Sequence, residues 1–272
     1  MTDSAGTIRI LSINIWDLPI PLPFTSKRRR LNDLLRRFPA EGADIVLFQE
    51  VFRPRFRQQM AAHLNGYHAD PFLRASRRLG PLRMDRTGGL VTLSRWPIEQ
   101  ARFIPARHFA GKKPDEQIGR KGWMWTTLAT PAGSLHVANV HLYAGNSPRD
   151  ARVRGLEVRH MLRSVPSDGP VLLAGDFNMA VGFEMPEHGP TGFDLMRRAG
   201  LDEVADGLSD GMATMSPSTN RWANYVLWHR PDRRLTQVFT RGLSVVTPPR
   251  LALDDPPVSD HYGLVVELAI TR

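Results

Sequence analysis

The sequence predicts an α/β protein whose sheets are mixed rather than purely parallel, and three observations carry that reading. Helical and strand-like patterns alternate in the first part of the chain, whereas several strand-like runs in the middle follow one another directly. Polar residues with catalytic chemistry sit at the ends of buried apolar runs, and strand ends are where α/β sheets bind ligands.

The elements follow from the spacing of apolar residues. Ile8–Ile15 is β-rich and reads as a strand. Leu31, Leu34, Leu35 and Phe38 lie at helical spacing, which predicts an amphipathic helix over Lys27–Phe38. The short apolar run Asp44–Phe48 is a buried strand, and Pro54–Leu64 reads as a helix. Gly88–Ser94, Trp123–Ala129 and Leu135–Leu142 read as strands, followed by a helix over Pro148–Leu162. Val171–Ala174 is a buried strand ending at Gly175, and Phe193–Ala199 is a helix closed by Gly200. Leu235–Thr240 and Tyr262–Ile270 are the last strands. Arg74–Arg86, Phe109–Lys121 and Ser209–Arg230 remain as long irregular stretches, candidate substrate walls or plain surface loops.

Composition bounds the class. The 272 residues, 42% hydrophobic and 23% charged, suit a soluble globular protein of one large domain or two small ones. The chain has no cysteine, which excludes disulfides, thiolate zinc sites and a cysteine nucleophile. Met1–Thr7 shows no basic segment leading into an apolar one, and no apolar run approaches a membrane span, so the default expectation is a cytoplasmic protein. The net charge of +9 draws polyanions such as nucleic acid, anionic lipid or phosphorylated ligands, against the alternative of a merely solvated Arg-rich surface. Basic residues concentrate early, at Lys27–Arg30, Arg36–Arg37, Arg53, Arg55, Arg57, Arg74, Arg77 and Arg78.

Asn14 follows Leu11–Ile13, Glu50 follows Ile45–Phe48, and His141 follows Val137–Val140. Asp176 and Asn178 follow Val171–Ala174, while Asp260 and His261 precede Gly263–Val266. Each alone has a bland explanation: a turn-forming Asn, a helix-capping carboxylate, an Asx-turn, a satisfied core histidine. All of these places carry metal-ligand or proton-transfer chemistry, and together they require a chain of coincidences to be structural only.

In that order, Asn14, Gln49-Glu50, His141, Gly175-Asp176-Phe177-Asn178 and Ser259-Asp260-His261 resemble the signature of the endonuclease/exonuclease/phosphatase superfamily over nearly the whole chain. The resemblance implies one domain over residues 1–272, a DNase I-like four-layer α/β sandwich of two mixed β-sheets face to face flanked by helices. Asn139-Val140-His141-Leu142-Tyr143-Ala144 with Asn146, Asp150 and Arg154 looks like the neutral sphingomyelinase branch. So do Asn14-Ile15-Trp16, Thr87-Gly88-Gly89-Leu90 leading to Ser94–Ile98, and Arg120-Lys121-Gly122. One position departs: where the family carries an Asp that orients a catalytic histidine, this chain has Thr236, and a hydroxyl cannot stabilise an imidazolium as a carboxylate does.

The resemblance implies phosphodiester hydrolysis assisted by Mg²⁺, with Mn²⁺ as the alternative. Glu50, with Asn14 supplying an amide oxygen and Asp260 assisting, is the expected metal set, and hard oxygen donors suit Mg²⁺. Asp176 is expected to position or activate water and Asn178 to donate to phosphoryl oxygens. His141 is expected to donate as charge builds, and His261 to act as base or phosphate binder. Arg120, Lys121 and Asn146 are candidate substrate contacts, although an ordinary basic loop also accounts for Arg120 and Lys121. Trp16, Phe24, Trp123, Trp125, Trp222 and Trp228 are candidate lipid or headgroup contacts, or core. The expected partner of a monomer is a phosphodiester, as a phospholipid headgroup or a nucleic acid, with peripheral contact at an anionic membrane. A DNA or RNA nuclease and a catalytically weak binding protein are the competing readings.

Overall fold

A computed structural model describes residues 6–19, 23–64, 66–80, 82–106, 116, 119–181, 189–204, 212–227 and 230–271. Its strands form two six-stranded sheets and a small two-stranded one. The first large sheet runs β13-β14-β1-β2-β6-β3. Its strands are β1 (Thr7–Asp17), β2 (Ile45–Val51), β3 (His68–Ala69), β6 (Val91–Ser94), β13 (Leu243–Ala252) and β14 (Gly263–Ile270). The second runs β11-β12-β10-β9-β8-β7. Its strands are β7 (Ile98–Pro105), β8 (Gly122–Thr130), β9 (Gly133–His141), β10 (Val171–Asp176), β11 (Asp202–Glu203) and β12 (Thr236–Arg241). Both sheets are mixed: β1 is parallel to β2 and antiparallel to β14, and β10 is parallel to β9 and antiparallel to β12.

Side-chain alternation builds the layers, because successive residues of a strand face opposite sides. Ile8 and Ile10 of β1, Ile45 and Leu47 of β2, Val137 of β9, and Leu172 and Ala174 of β10 meet in one cluster between the sheets. The opposite faces take the helices. Leu11, Ile13, Val46 and Phe48 pack under α1 (Lys27–Arg37) and α2 (Pro54–Ala61) through Leu31, Leu34, Phe56 and Met60. Ala138, Val140, Val171 and Leu173 pack under α3 (Pro148–Leu162) and α4 (Gly192–Arg198) through Val158, Met161, Phe193 and Met196. The result is the four-layer sandwich that the resemblance implies. Among the described residues no helix is long and apolar enough to cross a membrane.

The structure corrects several element boundaries. Arg74–Arg86 is not wholly irregular: β4 (Ser76–Leu79) and β5 (Leu82–Asp85) form a hairpin within it. Ser209–Arg230 contains α5 (Arg221–Leu227), and Phe109–Lys121 lies largely outside the described residues, as does Trp228. The predicted strand Gly88–Ser94 begins only at Val91, because Thr87–Leu90 closes a turn through Leu90 N–H and the Thr87 carbonyl at 3.2 Å. The early basic residues do not make one charged face. Arg30 and Arg57 are buried at 3% and 1% exposure, whereas Arg28, Arg29 and Arg55 are exposed.

Candidate active site

The same alternation that builds the inter-sheet core carries polar residues into it at one end of the strands. Asn14 continues the inward face of Ile8 and Ile10, Gln49 that of Ile45 and Leu47, and Asp176 that of Leu172 and Ala174. Asn139 and His141 continue the face of Leu135 and Val137. Register does the rest: Asp176 pairs with His141 on one side and with Thr236 on the other, and Asn14 pairs with Gln49 across β1 and β2.

Below the site the two sheets are bolted together by amides. Gln49 Nε2 donates to Asn139 Oδ1 at 2.8 Å, and Asn139 Nδ2 donates to the carbonyls of Phe48 at 3.1 Å and Val91 at 2.9 Å. Above them, Asn14 Nδ2 donates to Glu50 Oε1 and to Asp176 Oδ2, each at 3.0 Å, and so draws a carboxylate from each sheet together.

Glu50 breaks the alternation. Next to inward-facing Gln49 it belongs on the helix side with Phe48, yet its carboxylate joins Asn14. The backbone explains this: Glu50 has φ 59°, a left-handed conformation costly for a residue with a Cβ. Trp16, beside a register shift between β1 and β2, has φ 54°, and Asn178 has φ 52°. The strain at Glu50 is held by a buried cluster. Gly89 accepts Val51 N–H at 2.8 Å, and a Cβ on Gly89 would stand 2.9 Å from Glu50 Cα. Asp85 Oδ1 accepts from Gly89 N–H at 2.8 Å and from Thr87 N–H at 2.6 Å. Arg57 lies 3.6 Å from Asp85 and donates to the carbonyls of Val51, Leu73 and Leu90.

The Ser259–His261 loop is fixed from both sides. Ser259 Oγ donates to the Asn14 carbonyl at 2.7 Å and lies 3.0 Å from Asp260 Oδ1. Asn220 Nδ2 donates to the Ser259 carbonyl at 2.9 Å, and Arg30 donates to the Val258 carbonyl at 2.7 Å. His261 Nε2 is thereby placed 3.8 Å from Asp176 Oδ2. Asp176 Oδ1 accepts Asn178 N–H at 3.0 Å, and Asn178 Nδ2 donates to the Leu142 carbonyl at 3.0 Å.

Electrostatics follow from burial. Desolvation, and then the charge of Asp260, push the Glu50 carboxyl up to about 7. Burial likewise raises Asp260. His141 is held well below its ordinary value by burial, then by the Lys121 and His261 charges, so it is neutral near pH 7. Its Nε2 stands 3.8 Å from Glu50 and 3.7 Å from Asp176, too far for hydrogen bonds, and a neutral ring makes no ion pair with either. Both its ring nitrogens are buried without a hydrogen-bond partner among the described residues. Burial works against the charge on Lys121, but the Glu116, Glu50 and Asp176 carboxylates outweigh it and raise its pKa.

The sequence-predicted residues thus divide. Asn14, Glu50, His141, Asp176, Asn178, Asp260 and His261 converge, and Lys121 stands within the field of Glu50 and Asp176 while bonding Glu116 at 2.9 Å. Arg120 does not join this network; its carbonyl abuts Gly88, leaving no room for a Cβ there. Asn146 lies on the surface as an acceptor for Arg233. Asp150 and Arg154 shape the neighbouring loop: Asp150 completes a capping box with Ser147, and Arg154 donates to the Gly145 carbonyl at 2.7 Å. At the departure from the family pattern, Thr236 Oγ1 and His261 Nδ1 are both buried without partners among the described residues. Asp232 is no substitute, since it accepts from Ser218 N–H at 3.1 Å and from the Ser218 hydroxyl. Arg30, Arg57, Asp85 and Asn220 were not singled out as site residues from sequence, because buried ion-pair and carbonyl-clasping roles leave no local pattern.

The donor set fits a hard divalent cation. Glu50, its side chain 15% exposed, is the carboxylate that opens toward solvent, and a cation there would relieve its repulsion with Asp260. Among the described residues no group of three or more His, Asp or Glu is arranged to hold a metal, so water and phosphate oxygens would complete its coordination. Asn14 turns its amide nitrogen, not the expected oxygen, toward the carboxylates, while its Oδ1 accepts Trp16 N–H at 3.0 Å.

Two facing mixed sheets with a carboxylate, amide and imidazole cluster between their strand ends define a four-layer α/β sandwich with a polar site between its sheets. The chain belongs to the Endonuclease/Exonuclease/phosphatase family, which residues 11–261 match. It is 24% identical over 219 residues to Sphingomyelinase C 2 of Leptospira interrogans, covering 72% of this chain and 33% of that one. The chain therefore spans about a third of the length of the curated relatives it matches. Its fold is similar to that of a mutant beta toxin from Staphylococcus aureus with bound magnesium ions, at TM-score 0.73 and 19% identity over 98% of this chain and 100% of that one. Sphingomyelinase C from Streptomyces griseocarneus gives TM-score 0.72 and 19% identity over 96% and 99%.

Proposed function

We propose that the protein is a divalent-metal-dependent phosphodiesterase of sphingomyelinase-like specificity, hydrolysing a phospholipid-type phosphodiester. The observation that carries this reading is the joining of Glu50 and Asp176, one from each sheet, by Asn14. Beside them lie a neutral His141 and the His261 ring.

A phosphodiester anion repels a nucleophile, so the site must supply positive charge, an oriented water and a proton path. Glu50, with Asn14 and Asp260 alongside, would hold a divalent metal ion, which would supply Lewis acidity when bound. Ligation by the Asn14 oxygen would need its amide to rotate and give up the Nδ2 bonds to Glu50 and Asp176 as well as the bond from Trp16 N–H, so Asn14 serves to orient the two carboxylates. Asp176 is oriented by Asn14 and by Asn178 N–H, and it positions the attacking water. His261, facing Asp176, moves the proton. Neutral His141 offers a ring N–H, and Lys121 a charge, to the phosphoryl oxygens as negative charge grows there. Arg120 and Asn146 are left as outer substrate contacts. A nuclease remains the second reading, favoured by the net charge of +9.

The test is Mg²⁺-dependent hydrolysis of sphingomyelin in mixed micelles, a phosphoinositide, abasic duplex DNA and single-stranded DNA, each beside His261→Ala. Release of phosphocholine from sphingomyelin, lost in the variant, supports the proposal. Cleavage of DNA alone moves the protein to the nuclease reading.

A further inference from the structure

On the outer side of the second sheet, the apolar layer under α3 gives way to polar residues along β7, β8 and β9. The outward faces of these strands place Ile104, Trp123, Ala138 and Val140 in that layer. By alternation the same faces continue as Gln100 and Arg102 of β7, Trp125 and Thr127 of β8, and His136 of β9. Register makes them neighbours: Trp125 pairs with Arg102, and Thr127 pairs with both Gln100 and His136. They line a groove of about 610 Å³ together with Arg163 and Ser164, just past the end of α3. His136 lies on the opposite face of β9 from His141 and roughly 17 Å back along the strand, so the groove is separate from the catalytic cleft.

The lining divides into a ring, two cations and a few hydrogen-bonding groups. Ser164 Oγ accepts from both indoles, Trp123 Nε1 at 2.9 Å and Trp125 Nε1 at 3.0 Å, and donates to the Met161 carbonyl at 2.7 Å. Half-buried Trp125 thus has its N–H occupied, which leaves ring carbon to offer a ligand. Arg102 and Arg163 are exposed and form no ion pair among the described residues, and no described Asp or Glu lines the groove. A basic residue at a helix C-terminus is ordinary because the helix dipole favours it, but that accounts only for Arg163, since Arg102 comes from a strand. Thr127 Oγ1 and His136 Nδ1 lie 3.2 Å apart, and Gln100 is exposed beside them. An aromatic wall with a few convergent polar groups, in a space of this size, has the character of a small-ligand site. The indole selects a flat ring, and the guanidinium pair selects a phosphate. We propose that this groove is a second ligand site for a phosphate ester bearing an aromatic ring, of mononucleotide size, with the ring against Trp125 and the phosphate at Arg102 and Arg163. The site stands independently of the proposed hydrolysis.

The test is isothermal titration of the full chain with adenosine monophosphate, in chelator so that no hydrolysis intervenes, beside adenosine and inorganic phosphate as separate ligands. The variants are Arg102→Gln/Arg163→Gln, Trp125→Leu and, as a control for binding in the catalytic cleft, Glu50→Gln. Adenosine monophosphate is expected to bind the wild type, with adenosine and phosphate each weaker by about tenfold or more. The arginine pair and Trp125→Leu should each weaken the nucleotide about tenfold, whereas Glu50→Gln should leave it unchanged. Absence of nucleotide binding by the wild type overturns the inference, as does equal binding by the arginine pair. Phosphate binding as tightly as the nucleotide would remove the ring from the site and overturn it too. Loss of binding in Glu50→Gln would place the nucleotide in the catalytic cleft and likewise overturn it.

Discussion

At Glu50 the proposed metal-holding role and stability pull in opposite directions. Its folded pKa of about 7 lies above the ordinary 4.5, so between these values the folded chain holds a proton that the unfolded chain has released. Stability of the cation-free protein therefore falls as pH rises through that window, with the loss complete above about 7. Glu50→Gln keeps the shape without the charge. It is expected to stabilise the chelator-treated protein at pH 8 by on the order of 2 kcal/mol relative to wild type, with little change at pH 4. It should also lower turnover about a thousandfold. Urea denaturation at both pH values checks the first effect, and a lower stability at pH 8 would contradict it. At Thr236 the expected change is a gain. The residue pairs with Asp176 in register, and its hydroxyl and His261 Nδ1 are both buried without partners among the described residues. Thr236→Asp should raise kcat about tenfold near neutral pH by giving the imidazole a carboxylate, and it should do nothing in a His261→Ala background. Equal effects in both backgrounds would separate Thr236 from the histidine. The sequence exposed this substitution because the flanking motifs set the register. It did not expose the left-handed turn that swings Glu50 into the site, since φ leaves no mark in a residue's identity.

Among the elements, the turn Thr87–Leu90 matters more than its polar content suggests. The resemblance singles out Gly88 and Gly89, and the structure supplies the physical reason. Gly89 has φ 80° and leaves no room for a Cβ against Glu50 Cα, while Gly88 presses on the Arg120 carbonyl. Gly89→Ala is expected to destabilise the chain by about 2–3 kcal/mol. It should also reduce kcat with KM for a soluble diester nearly unchanged, because it moves the carboxylate rather than the substrate wall. Denaturation and steady-state kinetics check both, and a KM effect alone would contradict the assignment. The elements that sequence patterning revealed include β1, α1, β2, α2, β8, β9, α3, β10, α4, β12 and β14, which carry buried residues. Of those it missed, α5 is a short helix, β4 and β5 form a separate hairpin, and β3, β7, β11 and β13 lie at sheet edges. β13 carries Pro248 and Pro249 and exposes Val245 and Val246, features an edge strand tolerates but which hide its pattern. β7 also stands at a sheet edge and alternates only between partial and full exposure.

For the whole molecule, the resemblance conveyed the sandwich, while periodicity alone reached only mixed α/β layers. What joins the layers at the site is the buried amide pair Gln49–Asn139, a contact between residues that are 90 apart in sequence and carry no local signal. Asn139→Ala would strand the Gln49 amide and the Phe48 and Val91 carbonyls, and should cost about 3–4 kcal/mol. Retained stability with lost activity would show the pair to be a site residue rather than a bolt between sheets. The proposed hydrolysis depends most on a divalent cation held at Glu50. The most direct test is to strip the protein with chelator, titrate Mg²⁺ back, and follow both thermal unfolding and hydrolysis of a soluble phosphodiester in wild type and Glu50→Ala. Mg²⁺ is expected to raise the melting temperature and restore hydrolysis together in the wild type, and to do neither in the variant. Full activity in chelator, or equal Mg²⁺ responses in both proteins, would contradict it.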